Sequence, residues 1–251
     1  MIETTRIRAI IFDWDGIFIP SPLHTIIRIR WAAKEAGAPI PDIKTIRNCW
    51  GGKLKEVFNN FVKIGIWTES DHLRAVNCFN IIHQKPFPEI PGVMKMLEQL
   101  KGAGIELAII SSRNAKGLPG PCSPTLSATA EQAKIDLKIF GHIQAAEDYE
   151  FMKPDPRVFK PTLTNFYKLG IKTDEILVIG DTVDYDFMAA KNHQPPLQFA
   201  AVISMISPPL AFAVAGLPER LLMKRITDLP EILSFFPLNT RKNLKSFKER
   251  L

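Results

Sequence analysis

Cysteine is scarce in this 251-residue chain: Cys49, Cys78 and Cys122 are all it has. Three scattered thiols exclude a disulfide-stapled fold and a cysteine zinc site, and leave a reducing, cytoplasmic setting as the expectation. Histidine is sparse as well. His24, His72, His83, His142 and His193 share no ligand spacing, so each reads as a surface or packing residue. The start shows no secretory pattern, because Met1–Arg8 is polar and charged and the apolar stretch Ala9–Phe12 is too short. Long apolar runs are lacking too. The charge-free stretch Leu197–Leu217 is broken at its centre by Pro208-Pro209. Two prolines mid-span would open backbone hydrogen bonds in lipid, so no membrane partner is expected. The stretch reads as a buried strand (Phe199–Ile203), a proline loop and a short apolar helix. Internal repeats and low-complexity tracts are missing.

What remains is a globular balance. Hydrophobic residues make up 46% and charged residues 23%, which excludes a disordered chain. The net charge of +6 is unevenly spread. Residues 241–251 carry +4, residues 17–89 carry +4, and the rest carries −2. A core of that sign, with no basic-aromatic platform, speaks against a nucleic-acid partner. The tail Arg241–Leu251 reads as a solvated helix with Leu244, Phe247 and Leu251 on one face, or else as a basic segment for an anionic surface.

Periodicity divides the chain. Ile7–Phe12 reads as a strand buried on both faces, ending at Asp13-Trp14-Asp15-Gly16. Residues 24–84 read as helices only. Ile26, Ile29, Ala33 and Ala36 form one stripe, and Leu54, Val57, Phe58, Phe61 and Val62 form a second. Thr68 is a candidate N-cap for a third helix. From Gly92 onward, strands alternate with helices: strands at Ile105–Ile110, near His142–Ala146 and at Ile176–Ile179, with helices between them. Pro161 inside one helical pattern implies a late start or a kink. Lys116–Pro124 is rich in glycine and proline and reads as a loop. This alternation predicts a parallel α/β sheet. Because the first strand precedes the helical block, that block is an insertion.

Three predicted strands run into polar residues: Phe12 into Asp13 and Asp15, Ile110 into Ser111, and Ile179 into Asp181. Ligand sites of parallel sheets lie just beyond the carboxyl ends of the strands, so these residues should converge. Lys153, in a loop between strand and helix, can reach the same crevice. Crowded carboxylates repel one another and invite a cation, and oxygen ligands with retained waters suit Mg²⁺. Ser111 and Lys153 add a neutral donor and a positive charge, so the set could hold a phosphoryl group. One carboxylate can act as nucleophile through an aspartyl phosphate. A second can protonate the leaving oxygen and later activate water.

With these residues in order, the chain resembles the haloacid dehalogenase (HAD) superfamily of phosphohydrolases. The first motif is Ile-Ile-Phe-Asp13-Trp-Asp15-Gly16, and the second is Ser111 closing Ala-Ile-Ile-Ser. The third is Lys153 in Lys-Pro-Asp-Pro-Arg-Val-Phe, and the fourth is Gly180-Asp181-Thr-Val-Asp184-Tyr-Asp186. The resemblance covers most of residues 6–235. It implies a Rossmann-like α/β parallel sheet with helices on both faces, made from residues 1–16 and 90–251. Residues 17–89 would form an inserted all-helical C1 cap, as in phosphoglycolate phosphatases and β-phosphoglucomutases. By resemblance, Asp13 is nucleophile and Mg²⁺ ligand, and Asp15 is general acid/base and a ligand through its carbonyl. Ser111 bonds the phosphoryl group, Lys153 neutralises charge, and Asp181 and Asp186 support the metal, with Asp184 as the alternative to Asp186. Ser112 could serve instead of Ser111. Gly51, Gly52 and Lys53, after Trp50, resemble the family's substrate-selecting loop, or else form a plain turn. Two departures stand out: Ile17 replaces the usual Thr or Val, and the Gly/Pro-rich stretch replaces part of a helix.

The expected function is therefore Mg²⁺-dependent hydrolysis of a small phosphorylated metabolite such as phosphoglycolate. The alternatives are a phosphomutase and a catalytically idle HAD-like binding protein. Asp15 argues against dehalogenases and phosphonatases, which keep no acidic residue there. Opening and closing of the cap, with hinges near Gly16–Ser21 and Lys85–Pro91, is expected to gate the site.

Overall fold

Ala9-Ile10-Ile11-Phe12 form strand β1 (Ala9–Phe12), and all four side chains are buried. The run is continuous rather than alternating because both faces of the strand are covered. Ile10 and Phe12 pack into one hydrophobic layer and Ala9 and Ile11 into the other. The computed structural model describes residues 7–50, 54–83, 85–115, 124–148 and 150–236. Among them, β1 is followed by four helices: α1 (Ser21–Glu35), α2 (Ile43–Cys49), α3 (Leu54–Lys63) and α4 (Glu69–His83). The remainder alternates: α5 (Val93–Gly102), β2 (Glu106–Ile110), α6 (Leu126–Gln132), β3 (His142–Gln144), α7 (Lys160–Lys168), β4 (Ile176–Gly180), α8 (Met188–Asn192), β5 (Gln198–Val202), α9 (Pro209–Ala215) and β6 (Leu222–Met223).

The six strands form one parallel sheet in the order β3-β2-β1-β4-β5-β6. Chain order runs one way from β1 through β2 to β3 and the other way from β4 to β6. The reversal falls between β1 and β4, where open parallel sheets carry a crevice. The helical insertion has its own apolar centre, with Ile29, Phe58, Phe61 and Phe79 fully or almost fully buried. Thr68 does cap α4: its hydroxyl accepts from the Asp71 N–H, and the Asp71 carboxylate accepts from the Thr68 N–H. Pro161 sits in the first turn of α7, after a 3-10 turn over Pro156–Phe159, so the late start is what occurs. The apolar stretch after Leu197 divides into β5, a loop and α9, and no helix among the described residues is long and apolar enough to cross a membrane. Most of the Gly/Pro-rich stretch (116–123) and the basic tail (237–251) lie outside the described residues.

Trp14 fixes the loop after β1. It is fully buried between Phe18 and the sheet, and its indole N–H donates to the Thr129 hydroxyl of α6 at 2.9 Å. An inward Trp14 leaves its neighbours Asp13 and Asp15 facing the crevice. Thr129→Val keeps the shape but strands that buried N–H. Destabilisation of about 1–3 kcal/mol is expected in denaturant unfolding, with Thr129→Ser much closer to the parent.

Candidate active site

The backbone brings the strand-end residues together. The Asp13 N–H donates to the Ile179 carbonyl of β4 at 2.8 Å, which ties the mouth of β1 to that of β4. Asp181 follows β4, and Lys153 enters from the loop after β3. The Lys153 ammonium lies 2.7 Å from Asp13 Oδ1 and 2.6 Å from Asp186 Oδ1. Carboxylate oxygens of Asp13, Asp181 and Asp186 lie within 4.8 Å of one another.

Two glycines make this crowding possible. A Cβ on Gly16, where φ is +79°, would stand 2.2 Å from Asp181 Oδ2. A Cβ on Gly180 would stand 2.3 Å from the Cβ of Asp186. Asp186 is delivered by a wide π-type turn over Val183–Phe187, a form common at functional sites. The turn is pinned by Thr182, whose hydroxyl donates to Asp186 Oδ2 at 2.6 Å and whose N–H donates to the same oxygen at 3.1 Å. Of the two acids left open by the sequence, Asp186 is the one brought to the crevice, and Asp184 is exposed.

Electrostatics follow from the crowding. Burial pushes the Asp13 carboxyl up to about 7, the charges of Asp186 and Asp15 add to that, and Lys153 opposes it. Burial, and then the charges of Asp186 and Asp13, raise the Asp181 pKa well above its ordinary value. Asp181 Oδ2 is buried with no hydrogen-bond partner among the described residues. Hard oxygen donors, an excess of negative charge and one orphaned carboxylate oxygen fit a small divalent cation such as Mg²⁺.

Asp15 faces a different environment. Its two oxygens receive the Arg113 guanidinium, from Nε to Oδ2 at 2.8 Å and from Nη2 to Oδ1 at 2.7 Å, and the Ser21 hydroxyl also donates to Oδ1. Burial alone would raise its pKa, but Arg113 and Ser21 hold it below the ordinary value. Ser111 is fully buried, and its hydroxyl accepts from the Arg113 N–H at 3.1 Å. Ser112 lines the cavity. Gly51, Gly52 and Lys53 lie outside the described residues, while Trp50 before them reaches the cavity wall. The cavity holds about 200 Å³, with the acids and Lys153 on the sheet side and Thr25, Trp50, Leu54, Val57 and His83 on the helical side.

Arg113, Ser21 and Thr182 were not singled out from the sequence. Arg113 stands two residues beyond Ser111, and Thr182 directly follows Asp181. Only that adjacency could have pointed to them, since single Arg, Ser and Thr residues near strand ends are common.

Comparison with known proteins adds a family. A family model described as haloacid dehalogenase-like hydrolase matches residues 10–202. The phosphoglycolate phosphatase of Aquifex aeolicus is 25% identical over 189 residues, covering 73% of this chain and 80% of that protein. A HAD-superfamily hydrolase, subfamily IA, from Geobacter sulfurreducens superposes with a TM-score of 0.58 at 20% identity, over 90% of this chain and 96% of the other. CbbY from Rhodobacter sphaeroides, solved with xylulose-1,5-bisphosphate, gives 0.57 at 18% identity, over 89% and 96%. At these identities, the two solved structures speak for the fold.

The acidic cluster sets a pH and metal dependence of stability. An acid whose folded pKa is raised contributes stability below its unfolded value and loses it as pH rises through the folded one. For Asp13 that window runs from 3.8 to about 7. Metal-free protein should therefore melt progressively lower across this window. Mg²⁺ at roughly a hundred times its dissociation constant should restore about 2.7 kcal/mol. Asp181→Asn should raise the metal-free melting temperature and abolish the Mg²⁺-dependent rise in thermal unfolding.

Proposed function

The chain belongs to the haloacid dehalogenase-like hydrolases, and from that premise we propose that it is a Mg²⁺-dependent phosphatase of small phosphorylated metabolites, working through an aspartyl phosphate. The observation that carries this reading is the Lys153 ammonium bridging Asp13 and Asp186 at the mouths of β1 and β4, with Asp15 beside them in the same cavity. The name of the Aquifex relative supports a phosphoglycolate-like substrate.

In this reading, Asp13 attacks the phosphorus and the bond to the leaving oxygen breaks. Asp15 gives that oxygen its proton. Water then attacks the phosphorus of phospho-Asp13, Asp15 takes the water's proton, and phosphate leaves with the Asp13 carboxylate restored. Arg113 and Ser21 hold the Asp15 pKa low, which favours the carboxylate that the second step requires. Lys153 offsets charge on Asp13 and on the phosphoryl oxygens. Ser111, or Ser112 on the cavity wall, supplies a hydrogen bond to the phosphoryl group. Asp13, Asp181 and Asp186, with the Asp15 carbonyl, would hold Mg²⁺, which when bound withdraws charge from the phosphoryl oxygens.

Residues 17–89 act in this proposal as a cap over a core of residues 1–16 and 90–251, and the enzyme works in the cytoplasm. The cap's two crossings, near Gly16–Ser21 and Lys85–Pro91, serve as hinges.

Hydrolysis of p-nitrophenyl phosphate tests the reading. Activity should need Mg²⁺, and Asp13→Asn should lower kcat by roughly 10³-fold or more. Asp15→Asn should lower it by roughly 10²- to 10⁴-fold and let phosphorylated protein accumulate. Equal rates for the parent and Asp13→Asn would remove the proposed nucleophile. Isomerised sugar phosphate without free phosphate would turn the assignment to a mutase.

A further inference from the structure

His83, the last residue of α4, has no part in the steps above, yet it lines the cavity while being only 4% exposed. Its ring stacks on Phe79, with centroids 4.7 Å apart, and meets Phe87 edge-on. Its Nδ1 faces Nη1 of Arg28 at 3.4 Å. That guanidinium is itself fixed, donating to the carbonyls of His83, Lys85 and Pro86 and lying over the Phe87 ring.

A guanidinium can only donate, so Nδ1 of His83 must be the acceptor. The imidazole is then neutral and carries its one proton on Nε2. Burial, with the nearby charges of Arg28 and Arg113, agrees with this by lowering its pKa to about 4. No partner for Nε2 exists among the described residues. The cavity wall thus holds an oriented N–H donor near the Arg113–Asp15 ion pair. On the same lining Leu54, Val57 and Ile206 are hydrocarbon, while Thr25 and Tyr185 bring neutral polar groups.

We propose that His83 is a specificity-determining residue whose Nε2–H binds a carboxylate oxygen on the leaving group, with Arg28 as the positioning residue that fixes its tautomer. The substrate class is the phosphate ester of a short hydroxy acid, whose carboxylate would take that N–H. This rests on the phosphatase reading and deepens it. The cavity of about 200 Å³ suits a leaving group of a few heavy atoms.

The test compares kcat/KM for phosphoglycolate with that for 2-hydroxyethyl phosphate, which has similar size and no carboxylate. The parent should favour phosphoglycolate. His83→Leu should lower that preference about ten- to a hundredfold, the worth of a hydrogen bond to a charged group. His83→Gln, which keeps a donor near Nε2, should retain most of it. A preference unchanged in His83→Leu, or no preference in the parent, overturns the proposal. Imidazole ¹⁵N spectra of the parent protein at neutral pH give a readout free of activity. They should show His83 protonated on Nε2 alone, with that signal moving on addition of glycolate. A proton on Nδ1, or a signal unmoved by glycolate, overturns the assignment. Failure of the parent to hydrolyse either ester would instead overturn the phosphatase reading, and the spectra would then decide the role of His83.

Discussion

Three carboxylates held within 4.8 Å of one another are the constraint around which this molecule is built. In water they would separate. Here Asp13, Asp181 and Asp186 are fixed by strand ends and by a wide turn, and one ammonium meets two of them. Covering them from water strengthens both the repulsion and the attraction to any cation. The surrounding architecture answers this stress. Gly16 and Gly180 give up side chains so that Asp181 and Asp186 have room. Thr182 gives two hydrogen bonds to one Asp186 oxygen, and the other oxygen meets Lys153. Burial first, and then the neighbouring carboxylate charges, raise the pKa of Asp13 and Asp181 despite the presence of Lys153. A site of this kind is strained without a cation and relieved by one.

Asp15 lies only two residues from Asp13, yet its environment pushes the other way. Arg113 takes both of its oxygens, so its carboxyl stays ionised while that of Asp13 is pushed up. Neighbouring carboxyls with separated pKa values are how one site can divide nucleophile from acid/base. Trp14 enforces the division. A fully buried residue between two acids turns their side chains toward the same crevice, and its indole bond to Thr129 resists rotation of the loop.

Much of this was legible in the residues. Strands show as short continuous apolar runs when both faces are buried, and β1, β2 and β4 all read this way. A polar residue at the end of each run marks the crevice, which is why Asp13, Ser111 and Asp181 could be placed from the sequence, and Lys153 from its loop between a strand and a helix. Motif spacing favoured Asp186 over Asp184 without excluding the latter, because the decision belongs to the π-type turn, whose extra residue has no composition signature. The short edge strand β6 has only two residues and was not readable from pattern. Arg113 was missed for a similar reason. Its importance comes from a partner 98 positions away, and no local pattern encodes that distance.

The helical insertion also explains why one chain segment can serve both chemistry and enclosure. α1 begins at Ser21, whose hydroxyl holds Asp15, and two turns later it carries Arg28, which grips the carbonyls of the returning crossing at His83, Lys85 and Pro86. The outgoing and returning crossings are thus tied to one rigid helix. A third contact comes from Arg47, which donates to the Met205 carbonyl in the loop after β5. A rotation of the helical unit about its two crossings would have to move Ser21 relative to Asp15, and would break the Arg47 contact, while the Arg28 clamp could travel with the unit. The hydrogen bonding of Asp15 is therefore mechanically linked to the placement of the helical unit.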